Sequence, residues 1–201
     1  MHKTVFFSGT HGSGKTTTLD KVCENSCFGT YASADGDHKN PYTDPYPRQV
    51  WRLAKYYLDA LGILEQESGC SGLLLVDRCI FDHDAYTKTF HKKGWLTPEQ
   101  FQKIEELRAI YFQDRSLLPQ NIVVFFPPEE WTINRIKQRW NAEKVKWNEG
   151  NFDYLRVLRE EYKQIYEREK NSRNILLIET TKIEDRTKAI TDFMKKLKSQ
   201  Q

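Results

Sequence analysis

The chain is 201 residues long, enough for one α/β domain with a sizeable core. Its 31 lysines and arginines against 28 aspartates and glutamates leave a net charge of +3, too mild for a nucleic-acid coat, so no nucleic-acid partner is expected. Mean hydropathy is -0.74 and no apolar run approaches the roughly 20 residues that span a bilayer, so no membrane span is expected either. The N-terminus lacks the long apolar stretch of a secretory leader, and a cytoplasmic protein is the default expectation. Cys23, Cys27, Cys70 and Cys79 make no metal-ligand spacing and are expected as reduced thiols.

Residues 4–8, Thr-Val-Phe-Phe-Ser, read as a buried strand. Behind them stand Gly9, Thr10, His11, Gly12, Ser13, Gly14, Lys15 and Thr16, the spacing G-x-x-x-x-G-K-[ST] of a P-loop. The glycines let backbone N–H groups close around phosphate oxygens. Lys15 reaches the outer phosphates, Thr16 holds Mg²⁺, and Thr17 opens a helix whose positive end faces the same place. That helix is expected over 17–27, with Leu19 and Val22 on one face. The ligand implied is a phosphate chain with Mg²⁺.

Further strand-like runs lie at 29–34, 72–77, 121–126 and 174–179. The last three are nearly all apolar, as strands buried on both faces of a parallel sheet are. Residues 35–47 carry three prolines without apolar periodicity and read as a loop at the carboxyl edge of the sheet, where ligands bind. Helices are expected over 48–66, with Val50, Ala54, Tyr57, Leu61 and Leu64 on the buried stripe, and over 98–117, with Phe101, Ile104, Leu107 and Tyr111. Thr97-Pro98 is a helix start, as is Pro127-Pro128. The last helix carries Ile183, Ile190, Phe193 and Leu197.

Three further features carry chemistry. Asp77 ends an apolar strand, near Mg²⁺ or a transferred proton, and Arg78 beside it suits anionic oxygens. Arg135 and Arg139 share a helix face, continue through Lys144 and Lys146, and suit a cationic lid over about 128–150 that stabilises phosphoryl oxygens. Asp35 and Asp37 stand after the second strand, where Asp37, or Asp35, can take a hydroxyl proton. Tyr42, Tyr46, Trp51, Phe81, Tyr86 and Phe90 supply walls for a planar group, more than half of them as plain core. His83 has no further ligand at metal spacing. No Asn-Lys-x-Asp run is present to read guanine, which disfavours a GTPase switch.

These features together resemble the thymidylate kinase and deoxynucleoside kinase superfamily. The resemblance rests on Gly9–Thr16, on Asp77-Arg78 with Ile80-Phe81, on the basic stretch 135–146 and on Asn151 to Tyr162, and it follows the order of elements across nearly the whole chain. It implies a single domain over 1–201: a P-loop NTPase fold, three-layer α/β/α, with a five-stranded parallel sheet and a helical lid. It implies ATP·Mg²⁺ as donor, Lys15 and the lid arginines around the transferred phosphoryl group, Arg78 near the acceptor's reacting oxygen, and a homodimer as a common assembly. Cys79 stands where deoxynucleoside kinases carry serine, and Asp35-Gly36-Asp37 replaces their Glu-Pro signature. The acceptor stays open at this level: a nucleoside, a nucleoside monophosphate or another small hydroxyl compound. So does an ATPase module acting on a macromolecular partner.

Overall fold

The computed structural model describes residues 4–25, 31–33, 40–69, 72–141, 148 and 150–199. Five strands build one sheet: β1 (Thr4–Gly9), β2 (Tyr31–Ser33), β3 (Leu74–Asp77), β4 (Asn121–Phe125) and β5 (Asn174–Ile178). Every neighbour pair is parallel, in the order β2-β3-β1-β4-β5. Parallel neighbours require crossovers, and the helices supply them: α1 (Lys15–Asn25), α2 (Pro45–Gly69), α3 (Ile80–Lys92), α4 (Pro98–Tyr111), α5 (Glu129–Asn141), α6 (Phe152–Glu169) and α7 (Ile183–Ser199).

Alternation along the strands divides the core into two layers. Val5, Phe7, Val123 and Phe125 face α1 and α7, where they meet Leu19, Val22, Ile190 and Met194. Phe6, Ile122 and Val124 face the other way, onto Leu53, Phe81, Ile104 and Leu158 from α2, α3, α4 and α6. The result is the three-layer α/β/α arrangement. Each such side chain taken fully from water contributes about 1.5–3 kcal/mol.

Several expectations are corrected. α2 begins at Pro45 rather than 48, so Pro45 and Pro47 start a helix instead of belonging to a loop. Asp44 caps it, accepting from Tyr46 N at 2.9 Å, and a proline in the first turn sacrifices no intrahelical bond. The α2 stripe is rotated: Leu61 and Leu64 are 41% and 38% exposed, while Gln49 and Leu53 are buried. The helix expected over 98–117 stops at Tyr111, and a separate 3-10 turn, Arg115–Leu117, is capped by Asp114. β5 is an edge strand, so Ile175, Leu176 and Leu177 are only half-buried. The starts at Thr97 and Pro128 stand as expected: Thr97 forms a capping box with Gln100, and Pro128 O accepts from Thr132 N at 3.2 Å.

Candidate active site

The loop between β1 and α1 curls at the carboxyl end of β1, the central strand of the sheet. Gly12 and Gly14 take φ of 70° and 81°, which an L side chain rarely adopts. A Cβ on Gly14 would also fall 2.3 Å from Arg186 Nη1 and 3.0 Å from the Trp131 ring. A cavity of about 50 Å³ is lined by Thr10, His11, Gly12, Ser13, Gly14, Lys15, Thr16 and Thr17, with Arg78 and Arg139. The β1–α1 loop, the arginine that follows β3 and an arginine of α5 therefore meet at one place. Gly9 ends β1 outside that lining, where a Cβ would strike Phe125 at 2.9 Å.

Lys15 is 6% exposed, and its Nζ lies 2.6 Å from Asp77 Oδ1, an ion pair without hydrogen-bond geometry. Burial, helped by the charge of Arg78, lowers the pKa of the ammonium, and Asp77 opposes that shift. The Thr16 side is exposed, while the Asp77 carboxylate is mostly buried. Together they offer hard oxygen donors of the kind Mg²⁺ takes, so the donor set fits that ion.

Arg78 takes φ of 75°, a conformation that costs about 1–3 kcal/mol outside glycine. Its backbone is held by donation to Phe7 O at 2.8 Å. Its Nη1 lies 3.4 Å from both Asp82 Oδ1 and the Tyr86 hydroxyl. Asp82 is fully buried and gathers five donors: Tyr162 Oη at 2.7 Å, Cys79 N at 2.9 Å, Cys79 Sγ at 3.6 Å, Gly9 N at 3.4 Å and the Arg78 guanidinium. Cys79, the helix N-cap, occupies the position where the resemblance called for serine.

A polar and aromatic wall leads away from the loop. His11 Nε2 meets the Tyr86 hydroxyl at 3.0 Å, and the Arg52 guanidinium lies 5.1 Å from the Tyr86 ring centroid. The Tyr56 ring stands edge-on to His83, 6.3 Å between centroids. His83 Nε2 donates to Gln49 O at 3.1 Å, since a carbonyl only accepts, which leaves Nδ1 as an acceptor with no partner among the described residues. Gln49 Oε1 accepts from the Thr87 hydroxyl at 3.4 Å, and its Nε2 is a donor with no partner among the described residues. Burial pushes the His83 pKa down to about 4.

From α5, Arg135 Nη2 reaches Thr17 Oγ1 at 3.5 Å, and burial plus the charge of Arg139 lowers its pKa. Asp35, Asp37, Lys144 and Lys146 lie outside the described residues. Of the expected wall aromatics, Phe81, Tyr86 and Phe90 are buried, Tyr46 and Trp51 are half-buried, and Tyr42 is 44% exposed. A larger cavity, about 640 Å³, shares no lining residue with the loop; Asp84, paired with Arg108 at 2.5 Å, stands in it.

A family model described as deoxynucleoside kinase matches residues 6–200. The chain belongs to the deoxynucleoside kinase family. It is therefore an enzyme of nucleoside phosphoryl transfer, which decides against the ATPase reading. No curated protein matches the chain. Among solved structures, this kinase is similar to deoxyadenosine kinase from M. mycoides with bound dCTP, at 15% identity, TM-score 0.73, covering 98% of this chain and 99% of that one. The same enzyme with products dCMP and a flexible dCDP gives 16% identity, TM-score 0.71 and coverages of 98% and 99%. With bound dATP it gives 14%, 0.71, 94% and 97%. At these identities the likeness concerns the fold.

Sequence reasoning missed Asp82, Gln49, Trp131 and Arg186. Asp82 carried one signal, an acid at the third position of a helix that starts behind Asp77-Arg78. The others depend on contacts between distant segments and left no local mark.

Proposed function

We propose that this kinase transfers the γ-phosphoryl group of ATP to a sugar hydroxyl of a nucleoside. The observation that carries the proposal is the single cavity shared by Lys15, Thr16, Arg78 and Arg139. Backbone N–H groups of residues 12–16 and the N-terminus of α1 hold the donor phosphates, and Lys15 exchanges Asp77 for their outer oxygens. Thr16 and Asp77 would hold Mg²⁺, which supplies charge neutralisation at the phosphates when bound. Arg135 and Arg139 stabilise charge spread over the transferred group, and Arg78 sits at the acceptor's reacting oxygen. Asp37, or Asp35, takes the hydroxyl proton as that oxygen bonds to the γ-phosphorus. The bond to the bridging oxygen breaks, and ADP leaves with the electron pair.

The base of the acceptor is assigned to the wall that ends at Gln49 and His83. A lone donor on Gln49 and a lone acceptor on His83 suit a base edge with a ring-nitrogen acceptor beside an amino group, as in adenine and cytosine. Guanine and thymine present the opposite polarity. Turnover with a panel of four deoxynucleosides tests this. kcat/KM should favour deoxyadenosine and deoxycytidine by about ten-fold or more, since an unpaired buried polar group is costly. Preference for guanine or thymine would refute the assignment. The exposed Leu58, Leu61, Leu64 and Ile110 on the neighbouring helices α2 and α4 support a homodimer. A monomer mass in light scattering would exclude it. We place the enzyme in the cytoplasm, where ATP is plentiful.

A further inference from the structure

We infer that Arg186 is a positioning residue of the donor site, one that turns the Gly14 amide into the phosphate cradle and ties the lid helix to it through Trp131. The inference rests on reading the P-loop as the site of the donor phosphates.

Arg186 lies in the first turn of α7 and is 1% exposed. Its Nε donates to Thr180 O at 2.6 Å and its Nη1 to Ser13 O at 3.1 Å. Ser13 O and the Gly14 N–H belong to one planar trans peptide, so they point in opposite directions. A guanidinium that draws the carbonyl toward α7 sends the N–H away from α7, into the concave side of the loop. That N–H is a donor the phosphate chain needs. Gly14 permits this arrangement because a Cβ there would stand 2.3 Å from Arg186 Nη1.

The second part concerns Trp131 on α5. The Arg186 guanidinium carbon lies 4.5 Å from the Trp131 ring centroid, and that of Arg135 lies 4.8 Å from the same ring. One indole of the lid helix thus contacts a guanidinium that sets the loop and a guanidinium that reaches Thr17. Arg186 Nη2 has no hydrogen-bond partner, and among the described residues no carboxylate pairs with this cation. Burial and the charge of Arg135 together push its pKa down to about 10, which leaves it charged at neutral pH. Two neighbouring cations, neither paired with a carboxylate among the described residues, repel each other. The polyphosphate of the donor supplies the missing charge, so Arg186 acts through the loop and through its field without touching the ligand.

The test compares Arg186→Lys and Arg186→Met with the native enzyme, reading the KM for ATP, the KM for the nucleoside, and the Kd of a non-hydrolysable ATP analogue by calorimetry. Circular dichroism identifies the variants that fold, and the lysine variant keeps the charge while losing the forked grip on Ser13 O and Thr180 O. The expected result is a rise of about ten-fold in KM for ATP and in Kd for the analogue, with the nucleoside KM within about two-fold of native. Trp131→Leu should shift the same two donor quantities in the same direction. Unchanged donor constants in a folded Arg186 variant would overturn the inference, as would an equal loss for donor and acceptor. Lys15→Ala serves as the control: analogue binding retained there would overturn the P-loop reading itself, a failure distinguishable from that of Arg186.

Discussion

Acid should destabilise this kinase through His83. The imidazole is 1% exposed, and burial, with help from the charges of Arg52 and Arg108, holds its pKa down at about 4 against an ordinary 6.5. Asp84 and the Gln49 carbonyl oppose that shift without reversing it. Between those two pH values the unfolded chain binds a proton that the native protein refuses. Unfolding therefore becomes easier as pH falls through 6.5, and the loss is complete near 4. The gap corresponds to about 3 kcal/mol in full, and to about 2 kcal/mol between pH ~7.5 and pH ~5. Against a total stability of about 5–15 kcal/mol that is a large share. Urea denaturation across this range measures it, with His83→Gln as the comparison, because exposed carboxylates titrate in both proteins. The native enzyme should lose about 2 kcal/mol more than the variant. Parallel loss in the two proteins would show that the imidazole titrates as if in water and would refute the argument.

Lys15→Ala should lower kcat by about a hundred-fold or more, because the lost group acts at the transferred phosphoryl, and it should also lower the melting temperature, because the mostly buried Asp77 loses its partner; retained turnover would remove Lys15 from the site. Arg78→Ala should cut kcat/KM for the nucleoside by about a hundred-fold, with ATP-analogue affinity changed far less, read by steady-state kinetics and calorimetry. Asp37→Asn should abolish most turnover if Asp37 is the base, and an unaffected rate would pass the role to Asp35, whose own asparagine variant then decides. Gly14→Ala should destroy ATP binding, since φ of 81° and the contact with Arg186 Nη1 both exclude a methyl group; native affinity in that variant would contradict the loop geometry.

The gathering of residues 10–17 at one cavity was legible because their pattern is local. Lys15, Thr16 and the glycines lie within eight consecutive residues, and their spacing alone carries the ligand. Asp77-Arg78 was legible for the same reason, as an acid and a cation at the end of an apolar strand. The wall proposed for the acceptor is assembled from α2 and α3, whose side chains meet only after the sheet has formed, so Gln49 and His83 gave no combined signal. Arg186 meets Ser13 across 173 positions of chain, beyond the reach of any motif. Periodicity misjudged α2, because the contacts of the helix rotated its buried face toward Gln49 and Leu53. It also misjudged β5, because apolar content does not distinguish an edge strand from a central one.

The most direct test of phosphoryl transfer from ATP to a nucleoside is a product balance. The purified enzyme with ATP, Mg²⁺ and deoxyadenosine or deoxycytidine should form ADP and the nucleoside monophosphate in equal amounts by mass spectrometry, and only slow ADP formation without the nucleoside. ADP released at the same rate without any acceptor, or a nucleoside recovered unphosphorylated, would contradict the account.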